Sequence, residues 1–114
     1  MLRRTIAIAA ALSVLALGSP LITGCTNPSA TQYFNQGAEK YEAGNYQGAI
    51  ADYTKAIEID PQHANAYGNR GFSKGVGFQD SDGACSDFKK AASLGLEYRI
   101  NWLNSDEGAW CRNM

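Results

Sequence analysis

Gly48-Ala49-Ile50-Ala51-Asp52-Tyr53-Thr54-Lys55-Ala56 returns 35 residues later as Gly83-Ala84-Cys85-Ser86-Asp87-Phe88-Lys89-Lys90-Ala91. Upstream of these copies, Gln36-Gly37 lines up with Arg70-Gly71 at an offset of 34, as do Tyr33 with Tyr67 and Asn35 with Asn69. The second copy therefore carries one extra residue between its two segments. The periodicity within each segment is helical: Ala49, Ile50, Tyr53, Ala56 and Ile57 recur at spacings of three and four. A period near 34 built from two helices is the pattern of stacked helix hairpins.

Local signals mark the ends. A first helix is expected over 30–43, stopped by Gly44-Asn45, because glycine readily takes the left-handed conformation that closes a helix. A second is expected over 46–59, ended at Asp60-Pro61, since the residue before proline is pushed out of the helical region. The second unit spans 64–96. Gly75, Val76 and Gly77 are expected to loosen the end of its first helix. Its second helix, 81–94, starts at Asp80, Ser81 and Asp82, which offer capping oxygens and favourable charge, and stops at Gly95. Residues 97–114 are less regular. Tyr98, Trp102 and Leu103 form one face of a closing helix, and Ser105-Asp106-Glu107 cap a last turn carrying Trp110 and Cys111. Two hairpins leave an outer face bare, and such arrays need a cap of this kind.

These residues resemble the tetratricopeptide repeat. Tyr33, Gly37, Ala49, Tyr53, Ala56 and Pro61 sit where that family has an aromatic, a close-contact glycine, the alanine–aromatic–alanine series and the closing proline. Gln36 and Lys40 depart from it, the aromatic of the latter position shifting to Tyr41. The second unit keeps Tyr67, Gly71, Ala84, Phe88 and Ala91, but Leu96 stands where the proline belongs. The expected fold is all-α: two tetratricopeptide-type antiparallel helix hairpins, the second degenerate, plus a C-terminal capping helix or tail. Small residues let the helices approach, while aromatics fill the gap to the next one.

The N-terminus reads differently. Met1-Leu2-Arg3-Arg4 is a positive start, residues 5–17 carry no charge, and Gly18, Ser19 and Pro20 interrupt the run before Ile22-Thr23-Gly24-Cys25. This is the layout of an export signal, and its last four residues resemble the lipobox of bacterial lipoproteins. That resemblance implies removal of residues 1–24 and a diacylglyceryl group on the Cys25 sulfur, with residues 25–29 as a lipidated tether. Each buried methylene of an acyl chain adds about 0.8 kcal/mol of membrane affinity, and two chains anchor stably. The alternative is an uncleaved signal-anchor helix over 5–22, whose 18 residues barely suffice to span a bilayer. Cleavage would leave 90 residues with 8 basic against 11 acidic side chains, since Arg3 and Arg4 go with the signal. The expected location is the bacterial cell envelope. Thr26, unlike an aspartate, does not resemble the signal that keeps some lipoproteins at the inner membrane.

The composition excludes several functions. Ten basic against 11 acidic residues give no concentrated positive charge for nucleic acid. One histidine rules out a multi-histidine metal site, and no cofactor beyond the covalent lipid is expected. His63 reads as a solvated loop residue between the units. No Ser/His/Asp or Cys/His constellation emerges from spacing, and no glycine-rich loop succeeds a strand, so no enzyme is expected. With Cys25 lipidated, Cys85 and Cys111 remain. In an oxidising compartment they are expected to bridge and pin the tail, closing 26 residues and contributing about 3 kcal/mol. Two buried free thiols are the alternative. A redox pair lacks the usual Cys-x-x-Cys spacing.

The resemblance also implies a concave groove, lined by the first helix of each unit, that takes a peptide or protein partner. Its positions here are Phe34, Asn35, Ala38 and Glu42, then Gly68, Asn69, Phe72 and Val76. Asn35 and Asn69 are equivalent and offer amides to a ligand backbone. Phe34 and Ala38 stand where some members carry a carboxylate-clamping lysine and asparagine, so that activity is not expected. The same stripe would also serve as packing surface. Two functions fit: a membrane-tethered module recruiting a protein or peptide, or a structural component of an envelope complex that assembles through its hairpin ends.

Overall fold

The computed structural model describes residues 27–114. Six helices run through it, and no strand occurs among the described residues: α1 (Ala30–Glu42), α2 (Tyr46–Ile59), α3 (Ala64–Phe78), α4 (Ser81–Ser93), α5 (Glu97–Asn104) and α6 (Ala109–Arg112). The expected export signal, its expected cleavage point and Cys25 lie outside the described residues.

Every helix of the two hairpins begins on a side-chain cap. Ser29 and Gln32 form a reciprocal capping box at α1, the serine hydroxyl accepting from the Gln32 amide at 3.2 Å. The expected tether thus gives its last residue to the fold. Asn45 Oδ1 accepts from the Gly48 N–H at 3.0 Å to open α2, and Asp80 Oδ1 from the Gly83 N–H at 2.9 Å to open α4. Each such cap stabilises a helix by about 1 kcal/mol. Gly44 (φ 77°) and Gly95 (φ 90°) take the left-handed conformation that turns the chain after α1 and α4.

Each helix packs on the next, α1 on α2, α2 on α3 and α3 on α4, with α5 laid against α4. Ala49, Ala56, Ala66 and Ala91 are fully buried at these crossings. A Cβ added at Gly37 would stand 2.7 Å from the Tyr53 ring, and one at Gly71 2.6 Å from the Phe88 ring. The two glycines therefore set how deeply each aromatic enters its hairpin. Full burial of a side chain of that size contributes roughly 1.5–3 kcal/mol.

Two expectations fail. Gly75, Val76 and Gly77 do not loosen α3, which stays helical to Phe78 and stops at Gln79 in the left-handed conformation. The reason is packing: a Cβ at Gly77 would meet Tyr46 Cβ at 2.5 Å, so the glycine admits the start of α2. His63 is not a solvated loop residue either. Its Nδ1 accepts from the Ala66 N–H at 3.2 Å, capping α3, and its ring stacks on Phe34 with centroids 4.9 Å apart.

The tail covers the second hairpin. Leu96 lies over Gly68, and Cys85 of α4 is joined to Cys111 of α6 by a disulfide with Cα atoms 5.4 Å apart. Phe88 meets Trp102 edge-on at 5.1 Å, and Trp102 meets Trp110 at 6.1 Å.

Candidate functional site

A groove of about 260 Å³ opens between α1 and α3, lined by Ala38, Tyr41, Glu42, Tyr53, Asn69 and Phe72. Tyr53 reaches it from α2 because Gly37 leaves its ring room to lie against α1. Asn69 of α3 points its amide at the Tyr53 hydroxyl, donating at 3.5 Å. Ala38, Tyr41 and Glu42 share one face of α1 through their spacing of three and four residues. The result is an aromatic trough with a hydroxyl and an amide at its floor and one carboxylate at its rim. Burial pushes the Tyr53 phenol above its usual value. The Asn69 hydrogen bond opposes that shift, and Tyr41 and Glu42 add to it. The volume falls just under the ~300 Å³ at which small-molecule pockets begin, which suits one or two side chains of a polypeptide better than a whole metabolite.

Four expected groove residues, Ala38, Glu42, Asn69 and Phe72, converge here. Phe34 does not line the groove: it lies one turn earlier on α1, between the His63 ring and Tyr53, whose centroid is 5.7 Å away. Asn35 is exposed outside it, so the two equivalent asparagines have unequal surroundings. Gly68 is covered by Leu96 and Arg99, and Val76 stands exposed further along α3. Tyr41 and Tyr53 are the lining residues that sequence reasoning misses. In the sequence Tyr41 is a displaced repeat aromatic and Tyr53 a core position, and neither pattern tells which edge of the ring faces the groove.

The wall at Phe72 has an unexpected backing. Arg99 of α5 is 1% exposed, and its guanidinium carbon lies 3.8 Å from the Phe88 centroid, 4.0 Å from Phe72, 4.4 Å from Tyr98 and 5.7 Å from Trp102. Its Nε and Nη2 find no hydrogen-bond partner. Burial lowers its pKa, opposed by Tyr98. Aromatic faces thus replace the water and anions that usually surround a guanidinium.

A second polar system joins the hairpins away from the groove. Asp87 receives two hydrogen bonds from Arg70, at 2.9 and 2.7 Å, and pairs with Lys74 at 3.0 Å. Arg70 also donates to the Thr54 hydroxyl at 3.2 Å, linking α3 back to α2. Among the described residues no group of three or more His, Cys, Asp or Glu is placed to hold a metal ion, and no helix is long and apolar enough to cross a membrane.

Comparison with known proteins supports the repeat. Residues 37–74 match the family described as TPR repeat. Similar proteins include tetratricopeptide repeat protein 36 homolog of Nematostella vectensis, 40% identical over 70 residues, covering 60% of this chain and 38% of the relative. The STIP1 homolog of Dictyostelium discoideum is 31% identical over 74 residues, covering 65% of this chain and 13% of the relative. Tetratricopeptide repeat protein 36 of Danio rerio is 37% identical over 59 residues, covering 52% and 31%. The chain thus spans less than two fifths of each relative. No solved structure matches significantly. With the repeat period and the helix order agreeing, the described residues form an all-α fold of two antiparallel helix hairpins closed by a C-terminal cap, similar over residues 37–74 to the TPR repeat.

Proposed function

We propose that this chain is a non-catalytic protein-binding module, held at a bacterial cell envelope by a lipid on Cys25, that takes a peptide or protein segment over the concave face of α1 and α3. The observation that carries the binding reading is the groove itself. Side chains from three helices converge there on an open trough whose polar groups, Asn69 and the Tyr53 hydroxyl, can hydrogen-bond a peptide backbone. Tetratricopeptide repeats generally mediate contacts between proteins, which supports the same reading. A groove this small gives modest affinity alone, and lipid tethering raises the effective concentration.

The test is crosslinking and pull-down of the full chain from its native membrane, comparing wild type with Asn69→Ala plus Tyr41→Ala, folding being checked by circular dichroism. Partners are expected to be lost from the folded double variant. Partners fully retained would overturn the groove. Acyl labelling is expected to vanish in Cys25→Ser, and labelling that persists there would overturn the anchor. Assembly of the chain with itself through its hairpin ends predicts instead stable oligomers of the residue 27–114 domain in solution.

A further inference from the structure

We propose that the segment bound in the groove presents a basic side chain, lysine or arginine, to Glu42; this rests on the groove being the binding site. Among the described residues Glu42 is the one charged side chain lining the groove. No described cation pairs with it. The nearby candidates are engaged elsewhere: Lys40 with Asp52 at 2.6 Å, and Arg70 and Lys74 with Asp87.

Glu42 is also the last residue of α1, where the aligned peptide dipoles make the helix end negative and a carboxylate is disfavoured. A cation arriving there relieves both charges at once. The remaining walls suit its stem. The Tyr41, Tyr53 and Phe72 rings offer apolar faces for methylenes and π-faces for the charged head, while the Asn69 carbonyl oxygen and the Tyr53 hydroxyl are acceptors. Arg99 works against a cation placed beside Phe72, but it is enclosed by rings and lines no part of the groove. The charged head therefore belongs on the α1 side, between Tyr41 and Glu42, with the stem toward α3.

The experiment titrates the full chain with three extended peptides of otherwise identical sequence, carrying lysine, norleucine or glutamate at one central position. Binding is read by NMR shifts at Tyr41, Glu42 and Asn69. The lysine peptide is expected to bind about twofold to fivefold more tightly than the norleucine peptide, the usual worth of an ion pair at an exposed carboxylate. That advantage is expected to fall toward unity in Glu42→Gln and to weaken with added salt. Glutamate or norleucine peptides binding as well as lysine, with shifts confined to the groove and lost in Asn69→Ala, would sink the cation while leaving the groove intact. A lysine preference unchanged in Glu42→Gln would also overturn it. An absence of groove shifts with all three peptides would count against the groove and the cation together.

Discussion

The first hairpin, α1–α2, and the second, α3–α4, are built with the same devices at equivalent positions. Asn45 and Asp80 cap the second helix of each through the glycine three residues on. Gly37 admits Tyr53, and Gly71 admits Phe88. Lys40 pairs with Asp52, and Lys74 with Asp87. What differs is how each is finished. The second hairpin gains Arg70, a disulfide and the α5 cap with its ring-enclosed Arg99, whereas the first presents Tyr41 and Glu42 to an open groove. One repeat plan thus serves two ends: the unit that departs further from the family pattern is braced, and the other supplies most of the groove.

The ion pairs offer the widest gap between the two. Both carboxylates are buried, but Asp87 answers two cations, one of them bidentate, that are 17% and 24% exposed, whereas Asp52 answers only Lys40, which is 43% exposed. Removing Asp87 strands two cations that are mostly out of water and costs up to about 3–5 kcal/mol, whereas removing Asp52 strands only Lys40, which water can hydrate, and costs less. Asp87→Ala is therefore expected to lower the urea midpoint more than Asp52→Ala does. Equal shifts would mean that the second hairpin is not the more strongly braced one.

The disulfide comes next. Its loop closes 26 residues, and the chain-entropy model gives about 3 kcal/mol for that length. Because Cys85 and Cys111 join α4 to α6, the loss should be local. In Cys85→Ala plus Cys111→Ala, hydrogen exchange is expected to speed up in α5 and α6 while α1 and α2 keep their protection. Uniform loss across all helices would show that the two hairpins fold as one cooperative block.

The shared devices are legible in the sequence and the finishing is not, for a physical reason. Small and aromatic residues at Gly37, Tyr53, Gly71 and Phe88 recur because neighbouring helices must approach, and recurrence is visible in one sequence. Arg99 is fixed by four rings drawn from α3, α4 and α5, a constellation with no spacing of its own. The same holds for His63, which reads as solvated because nothing local shows Phe34 arriving over its ring. The place of Phe34 on α1 points to the groove, and that same neighbour takes it out. Gly75 and Gly77 look like helix breakers in isolation, yet close neighbours in α2 and α4 hold them helical.

The smallest expected effect isolates one atom by which the equivalent aromatics differ, the hydroxyl of Tyr53, absent from Phe88. Burial keeps the Tyr53 phenol protonated above its usual pKa of about 10. Below that value the folded and unfolded chains both hold the proton and nothing changes. Above it the unfolded chain releases its proton first, so the unfolded state binds fewer protons and stability falls as pH rises. Tyr53→Phe removes this contribution. Near neutral pH the variant loses only the 3.5 Å contact with Asn69, too long to be worth more than about 1 kcal/mol. Between roughly pH 9 and 11, the urea midpoint of wild type is thus expected to fall more steeply than that of Tyr53→Phe, whereas Phe88→Leu should leave the alkaline slope unchanged. Parallel slopes for wild type and Tyr53→Phe would mean that the hydroxyl at the groove floor is open to water, and the trough would then be wetter than the packing around Gly37 implies.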